Sequence, residues 1–372
     1  MRLAFVIYHY FPFGGLQRDA MRIAKACQQH GHQIEFLVMR WEGARDTTIP
    51  VHFFPQTSWH NYKRYQKFAS DVQGYIKLHT FDAVIGFNKI PGLDFYYAGD
   101  LCYAATLNQK PLHQYYEWLP RYRYLLEAEA AVADASSKTH LLLMNEQAKN
   151  DFQYYYKTSA ERLHILPPGI NPDRRWNAES QKIRNDMRKR FELTAEDKII
   201  LMVGSSFNTK GVDRSIKAFA ALPLDLQQKS HLFVVGNGKP KAFMRLAQKL
   251  GVASRIRFIL GSDEIPAFLF AADILLHPSY RENAGMAILE AIVAGLPVLT
   301  TANCGYARYV DEAQAGEVLP MPFQQEQLNR ELASMLTSPH YQQWRKNGIQ
   351  FGRDEDIYSL PERAMEIITK NK

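Results

Sequence analysis

Short apolar runs alternate along the chain with stretches in which apolar residues recur every three or four positions. The first run, Arg2–Tyr8, is almost continuously apolar, which is typical of a strand buried on both faces of a parallel sheet. Residues 16–30 have helical spacing, and Gly31 is placed to end that helix. Because Gln33–Val38 is apolar again, the pattern predicts a βαβ unit, the repeating element of a doubly wound sheet.

The alternation breaks once and then begins again. Phe81–Phe87 and Thr139–Met144 predict further strands of the first half. Residues 166–181 are rich in proline, glycine and polar side chains, as linkers are. Beyond them the pattern predicts strands and helices in turn: Lys198–Val203, Val212–Leu222, His231–Val235, Lys241–Leu250, Arg255–Leu260, Ile265–Ala271, Asp273–His277, Ala284–Ala294 and Pro297–Thr301.

Two such arrays predict an α/β protein with two Rossmann-like, doubly wound domains that face each other across a cleft. We expect the first domain at residues 1–168 and the second at residues 169–354. A C-terminal helix at about 355–372 is expected to pack back on the first domain. Ligands of doubly wound sheets bind at the carboxyl ends of the strands, so these ends are where functional residues are sought.

Composition narrows the class of protein. Apolar residues make up 46% of the chain and charged residues 22%, which excludes a largely disordered chain and a polytopic membrane protein. No apolar run reaches the length of about 20 residues that spans a bilayer, and no signal peptide is evident, so a cytoplasmic location is expected. The three cysteines are far apart, which argues against zinc and disulfides. The net charge of +7 favours a polyanionic partner.

The most informative segment runs from His277 to Pro297, where a strand leads through a loop into a helix. Asn283, Ala284 and Gly285 are predicted to form the first turn of the helix, where free backbone N–H groups bind an anion. Glu282 and Glu290 are eight residues apart. On a continuous helix they would lie on one side, about 12 Å apart, which suits the two ends of a nucleotide diphospho-sugar.

This Glu-x7-Glu segment, followed by AGLPV at 294–298, resembles retaining glycosyltransferases of the GT-B fold, family GT4. More narrowly, the chain resembles the lipopolysaccharide core glucosyltransferases of Gram-negative bacteria. That resemblance spreads over most of the chain and is carried by six motifs: YHYFPFGGLQRD at 8–19, WEG at 41–43, GFNKIPGLD at 86–94, LPPGI-PDR at 166–174, KGVDRS at 210–215 and CGYA at 304–307.

The resemblance implies transfer of glucose, with retention, from UDP-glucose to an inner-core heptose at the cytoplasmic face of the inner membrane. The first domain would bind the acceptor and the second the donor. UDP-galactose or UDP-N-acetylglucosamine as donor, a nucleotide-sugar epimerase and a non-catalytic polyanion-binding protein are the alternatives. No cofactor or metal is expected, because basic residues and a helix dipole take the place of Mg²⁺. The acidic string Asp354–Asp356 is interpreted as helix-start chemistry.

The resemblance also implies roles for individual residues. Lys210 and Arg174 would neutralise the leaving diphosphate, and Glu290 would hold the ribose. The loop before Lys210 has Thr209 where relatives often carry arginine, so Arg174 or Arg214 is expected to compensate. The remaining donor-site residues are Gly14, Gly15, Gly236, Gly261, Glu282, Asn283, Ala284, Gly285 and Met286.

Two acidic residues of the first domain are further candidates. Asp19 is predicted to reach the sugar or the acceptor, or else to be a first-turn acid that interacts with the helix dipole. Asp100 is predicted to contact the acceptor, or else to be a structural loop acid. With Lys210 and Glu282 they complete the predicted catalytic set.

Basic and aromatic residues are mixed in the segment Tyr103–Arg123 and again in Trp59–Phe68. Such a mixture suits an anionic lipid headgroup region, and it would equally suit stacking on RNA. An amphipathic helix with a partly exposed rim is the structural alternative. The resemblance favours the anionic surface of the inner membrane, with no nucleic-acid partner.

Overall fold

The structure, a computed structural model, describes residues 1–12 and 14–371. The chain divides into two compact units. The first contains Met1–Gly169 and the stretch that begins at Ser359, and the second contains Ile170–Tyr358. Each unit has its own parallel sheet with helices packed against it. The predicted α/β class with two Rossmann-like sheets is therefore confirmed.

The sheet of the first unit has the strand order β3-β2-β1-β4-β5-β6-β7 in the described residues. Its neighbouring strands run parallel, so that Phe5 of the first strand pairs with Phe36 on one side and Ile85 on the other. The strands are β1 (Arg2–Tyr10), β2 (Gln33–Trp41), β3 (Val51–Phe53), β4 (Ala83–Gly86), β5 (Phe95–Ala98), β6 (His140–Leu143) and β7 (Leu163–Ile165). Leu3–Ile7 is fully buried, as its continuous apolar run predicts.

The first helix follows β1 and buries Ala20, Ile23, Ala24 and Cys27, the apolar positions of its helical pattern. Gly31 has φ 81°, a left-handed conformation that glycine adopts readily, and the chain turns there into β2. The helices of this unit are α1 (Gly15–Gln29), α2 (Asn61–Leu78), α3 (Tyr103–Asn108), α4 (His113–Glu117), α5 (Pro120–Ala133), α6 (Glu146–Tyr156) and the C-terminal α16 (Leu360–Lys370), which packs on α1.

The sheet of the second unit has the order β10-β9-β8-β11-β12-β13 in the described residues. Ile200 pairs in parallel with Leu232 and with Ile274, which places β8 in the middle of the sheet. The strands are β8 (Lys198–Val203), β9 (Ser230–Val235), β10 (Ile256–Ile259), β11 (Ile274–His277), β12 (Val298–Thr301) and β13 (Gly316–Leu319).

Helices cover this second sheet, and two of them correct the sequence interpretation. The helices are α7 (Ser180–Arg190), α8 (Val212–Ala220), α9 (Leu224–Gln228), α10 (Lys241–Lys249), α11 (Ile265–Ala271), α12 (Met286–Val293), α13 (Arg308–Glu312), α14 (Gln325–Leu336) and α15 (Tyr341–Asp354). Asp354 is the last residue of α15, so the acidic string follows a helix end rather than starting a helix. The linker interpretation of residues 166–181 omits a short 3₁₀ turn at Pro172–Arg174 and the first residues of α7.

Candidate functional site

Four loops meet at the carboxyl-terminal edge of the second sheet, held by backbone hydrogen bonds. Tyr280 N of the loop after β11 donates a hydrogen bond to Thr209 O of the loop after β8, at 2.8 Å. Ser206 N, also in the loop after β8, donates a hydrogen bond to Asn237 O of the loop after β9, at 3.0 Å. On the other side, Tyr306 N donates to Ala284 O at 2.7 Å. These bonds involve only main-chain atoms, and they gather the loops that carry most of the predicted donor-site residues.

Lys210 and Glu282 form a partly buried ion pair within this cluster of loops. Lys210 Nζ donates to Glu282 Oε2, and the two side chains are 20% and 15% exposed. His277, at the end of β11, is 1% exposed and places Nε2 3.5 Å from the same carboxylate oxygen. Two residues predicted from sequence as a cation and a carboxylate of the donor site are therefore in direct contact.

The charges of this cluster stabilise one another. Burial raises the pKa of Glu282, but His277 and Lys210 outweigh that effect and lower it to about 2. Burial lowers the pKa of His277, whereas Cys304 and Glu282 raise it more strongly, to about 9. Burial also raises the pKa of Cys304, and its contact with His277 reverses the direction, so that the net shift is downward. The carboxylate is thus held ionised over the physiological pH range.

The start of α12 differs from the sequence interpretation. The helix begins at Met286, with Gly285 as its N-cap at φ 92° and ψ 50°, so Asn283, Ala284 and Gly285 precede the helix instead of forming its first turn. Glu282 lies in an isolated parallel β-bridge with Cys304. The continuous helix from Glu282 to Glu290 that the spacing argument assumed is therefore absent in the described residues. The N-terminal backbone N–H groups of α12 begin at Met286.

Glu290 lies on α12 and is buried against a cation. Arg174 Nε is 3.5 Å from Glu290 Oε1, and the two side chains are 6% and 7% exposed. Arg174 also binds Asp173, with Nη1 2.6 Å from Oδ2. The structure thus brings together the two residues predicted to bind diphosphate and ribose, as partners in one ion pair.

Arg214 is held by aromatic and carbonyl contacts beside the loop cluster. Its guanidinium lies between the rings of Tyr280 and Phe323, 3.6 and 3.7 Å from their centroids. It donates to the carbonyl oxygens of Pro278 and Ser279, both at 3.2 Å, and the residue is 9% exposed. Stacking and carbonyl contacts therefore occupy it, and its role is to hold the loop after β11.

Gly236 follows β9 at φ 149°, and a Cβ there would overlap the carbonyl group of Gly204. Two loops thus approach each other through bare backbone, for which glycine is needed. Gly261, after β10, has φ 65°, and a Cβ there would meet only Asn237 Oδ1, at 3.5 Å. These two predicted donor-site glycines follow neighbouring strands of the same sheet.

The predicted site residues of the first unit lie after β1 and β5. Asp19, on α1, is 9% exposed and accepts a hydrogen bond from Tyr97 Oη at 2.7 Å. The first turn of α1 contains no acidic residue, so the interpretation of Asp19 as a first-turn acid is wrong. Asp100 is exposed, two residues beyond the end of β5. Gly14 is the N-cap of α1 at φ −84°, and Gly15 has open space at its Cβ position.

Gly14 has a local packing reason for lacking a side chain. A Cβ there would overlap the side chain of Gln17 and approach the ring of Phe11. Gln17 Nε2 donates to His9 O at 2.9 Å, a bond that ties α1 to the end of β1.

Sequence reasoning missed His277 and Cys304 as members of the site. His277 ends a buried apolar strand, and Cys304 was weighed only for zinc and disulfides. The signal was present, because a polar, titratable residue as the last member of an apolar strand lies at the ligand-binding edge of a parallel sheet. The partners of His277 are 5 and 27 residues away along the chain, so only the fold identifies them.

The segment Tyr103–Arg123 forms α3, α4 and the start of α5, and several of its large side chains are exposed. Leu112 is 81% exposed, Tyr115 66% and Trp118 85%. Lys110 Nζ lies 5.0 Å from the ring centroids of both Tyr116 and Tyr122. In the part of the chain that the structure describes, no helix is both long and apolar enough to cross a bilayer.

A fully buried carboxylate fixes this segment at its base. Glu129, on α5, accepts from the backbone N–H groups of Tyr103 and Ala104, at 2.7 and 2.8 Å, where α3 begins. Lys89 Nζ lies 2.5 Å from Glu129 Oε1, and Tyr156 Oη donates to Oε2 at 2.8 Å. The exposed segment therefore starts from a rigid, charge-paired position.

Comparison with known proteins gives the class of the molecule. Residues 13–174 match the family model Glycosyltransferase Family 4, and residues 183–351 match the model Glycosyl transferases group 1. The fold resembles that of Anabaena HepE in complex with UDP and glucose, with a TM-score of 0.76 at 16% identity over all of both chains, which is a likeness of fold alone. Fold and matches place the chain among the glycosyltransferases.

Full-length relatives narrow this class. Lipopolysaccharide glucosyltransferase WaaG of Escherichia coli (strain K12) is 44% identical over 370 residues, which are 99% of each protein. A crystal structure of WaaG, a glycosyltransferase involved in lipopolysaccharide biosynthesis, matches with a TM-score of 0.95 over 99% of both chains. The chain therefore belongs to glycosyltransferase family 4. A non-catalytic polyanion-binding protein and an epimerase are not favoured.

Proposed function

We propose that this protein transfers glucose from UDP-glucose to an inner-core heptose of lipopolysaccharide, with retention of anomeric configuration. The observation that carries the proposal is the likeness to a lipopolysaccharide glucosyltransferase at 44% identity over 99% of the chain. The partly buried Lys210–Glu282 pair at the carboxyl edge of the second sheet supports it, because this edge is where doubly wound sheets bind ligands.

The donor diphosphate would bind to Lys210 and to the backbone N–H groups at the start of α12. Departure of UDP leaves negative charge on the β-phosphate, and a fixed ammonium group stabilises that charge as it develops. Dipoles at the N-terminus of α12 add to this effect without any metal ion. In this proposal the protein's own residues supply the positive charge, and the reaction requires no cofactor.

The two glutamates would hold the two ends of the donor. Glu282 is ionised, so its oxygens accept hydrogen bonds from the hydroxyl groups of the transferred sugar. Glu290 would accept from the ribose hydroxyls, and its contact with Arg174 keeps its carboxylate in place. Gly236 and Gly261 would let the backbone approach the uracil base.

Retention is proposed to proceed on one face of the sugar. The oxygen of the departing diphosphate would take the proton of the acceptor hydroxyl as that hydroxyl attacks the same face of the anomeric carbon. The glycosidic bond to phosphate breaks, the new one forms, and the proton leaves with UDP. Among the described residues of the donor loops, the ionised Glu282 is bound to a cation, a state suited to binding hydroxyls rather than to covalent attack.

The acceptor would be bound by the first unit, and the enzyme would work at a membrane surface. Asp19 and Asp100 are proposed as acceptor contacts, whereas Gly14 and Gly15 would let the backbone approach the donor phosphate or sugar. The exposed Leu112, Tyr115 and Trp118, with the nearby Lys110, are proposed to dock on the anionic inner membrane, where the acceptor is embedded. We propose a cytoplasmic, peripherally associated enzyme.

One assay tests the function. The purified protein is incubated with UDP-glucose, UDP-galactose and UDP-N-acetylglucosamine, each with a truncated heptose-core acceptor and with EDTA in a parallel set. Mass spectrometry and NMR of the product identify the sugar, the linkage and the anomeric configuration. Glucose transferred with retention and unaffected by EDTA supports the proposal. Transfer of another sugar corrects the donor, and an inverted product refutes the proposed mechanism.

A further inference from the structure

His277 is a buried histidine with charged neighbours on three different loops. The residue is 1% exposed at the end of β11, and Nε2 lies 3.2 Å from Ser279 Oγ and 3.5 Å from Glu282 Oε2. Among the described residues, the titratable groups that influence it most are Glu282, Lys210 and Cys304. The buried ring therefore lies beside the same carboxylate oxygen that Lys210 contacts.

The position of His277 is fixed by the strand that carries it. Its backbone is paired with Thr300 of β12, and its carbonyl oxygen accepts from Thr300 Oγ1 at 3.0 Å. Glu282 is fixed in turn by its bridge to Cys304. The backbones of both residues are therefore held by neighbouring strands and loops.

The charge balance of the cluster depends on this ring. Lys210 and Glu282 alone make a neutral pair, which offers no net attraction to a diphosphate. A second cation beside Glu282 makes the cluster positive and frees Lys210 to interact with an incoming phosphate. Arg214 keeps its charge between the two rings, but its guanidinium donates to the carbonyl oxygens of Pro278 and Ser279.

We propose that His277 is a positioning residue that acts as a buried imidazolium. Its Nε2 holds the Glu282 carboxylate in place, and its charge gives the donor site a net positive charge. It would not touch the substrate. This inference rests on the proposed function, since it assumes a diphosphate ligand. According to this inference, a buried residue that does not contact the donor increases the affinity of the site for it.

The protonation state agrees with this geometry. The pKa of His277 is raised from 6.5 to about 9, although burial alone would lower it. A raised pKa means that the cation is present throughout the neutral range and is lost as pH rises through about 9. The affinity for diphosphate should therefore fall as the pH rises through about 9, and UDP binding near that pH should be accompanied by uptake of a proton.

The test is UDP binding by titration calorimetry from pH 7 to 9.5, in two buffers of different ionisation enthalpy. The proteins are the native chain, His277→Gln and His231→Gln. His231 is a matched control, since it is the second residue of β9 and lies near the amino-terminal end of a strand in the same sheet. We expect native affinity to fall about threefold between pH 7 and pH 9.5, with proton uptake near pH 9. His277→Gln should bind about tenfold more weakly already at pH 7, without proton uptake.

The outcomes separate the two proposals. If no protein binds UDP, the proposed function fails at its donor. If the native chain binds UDP but takes up no proton near pH 9, or if His277→Gln binds like the native chain, the ring is only a packing element and the inference is overturned. If the His277→Gln protein does not fold, proton uptake by the native chain decides the question. If His231→Gln changes UDP binding as much as His277→Gln does, the inference is also overturned.

Discussion

Lys210 Nζ donates to Glu282 Oε2 across 72 residues of sequence, and this pair joins the loop after β8 to the loop after β11. The pair is partly buried, so its charges are weakly screened and each fixes the position of the other. In the proposed reaction the same ammonium group meets the leaving diphosphate.

Replacement of Lys210 by alanine is expected to lower kcat by about 100-fold, because the cation acts on charge that develops in the transition state. KM for UDP-glucose should rise much less. Steady-state kinetics with varied donor measures both constants. Lys217→Ala is the control, since Lys217 is an exposed lysine that pairs with Asp213 on α8. Equal losses in the two variants would contradict the assignment.

Replacement of Glu290 by alanine should weaken UDP binding about tenfold or more and destabilise the second unit by about 2 kcal/mol. The first effect follows from the proposed ribose contact, and the second from leaving buried Arg174 with Asp173 as its remaining carboxylate partner. Calorimetry and thermal denaturation measure the two effects separately. Glu326→Ala, on α14 near the surface, provides the comparison. Unchanged UDP affinity would refute the ribose role.

The folded protein should lose stability in acid partly through Glu282. Its pKa is lowered from 4.5 to about 2, so its stabilisation is complete above pH 4.5 and is lost as pH falls toward 2. At most about 3 kcal/mol is involved. Melting temperatures of the native chain and Glu282→Gln, measured from pH 7 to 2.5, should converge as the pH falls. Parallel curves would show that the carboxylate is not held as described.

Alanine substitutions at two glycines with positive φ separate the cost of steric overlap from the cost of backbone strain. Gly236→Ala should destabilise the second unit by about 3 kcal/mol or more, because the new Cβ would overlap the Gly204 carbonyl group. Gly251→Ala, at φ 74° with open space, should cost only about 1 kcal/mol. Denaturant unfolding of the two variants measures the difference. Similar costs would mean that the loops after β8 and β9 can move apart.

Membrane docking can be tested with two leucines of similar exposure. Leu112 is 81% exposed in the basic and aromatic segment, and Leu78 is 84% exposed at the end of α2. Leu112→Ala, combined with Trp118→Ala, should reduce flotation with anionic liposomes several-fold, whereas Leu78→Ala should not. Neutral liposomes should bind all proteins weakly. Equal binding of native protein to neutral and anionic vesicles would count against docking through charge.

Most buried strands were predicted because their apolar runs are continuous, and Lys198–Val203 was placed to the residue, whereas the fully buried β5 (Phe95–Ala98) was missed. Short edge strands such as Val51–Phe53 and Gly316–Leu319 were missed, since they are only partly buried and carry few apolar positions. The start of α12 was misplaced because small residues at 283–285 fit a helix as well as a turn. Tertiary hydrogen bonds, which sequence spacing does not report, hold that stretch as a turn.

The structure pairs the predicted site residues Lys210 with Glu282 and Arg174 with Glu290. The two glutamates were named from their spacing, and Lys210 and Arg174 from the family resemblance. Which cation meets which carboxylate depends on loops that are close only after folding. The position of His277 at the end of an apolar strand indicates the ligand-binding edge, but its contribution depends on burial and on three loops at once.

The four loops at the carboxyl-terminal edge of the second sheet are joined by main-chain hydrogen bonds to the carbonyl oxygens of Thr209, Asn237, Glu282 and Ala284. Such bonds do not depend on which side chains the loops carry. Natural divergence or directed evolution can therefore exchange the outward-facing residues of these loops while the frame persists. The protein is a suitable starting point for libraries that seek new sugar donors, provided that the backbone contact between Gly204 and Gly236 is left intact.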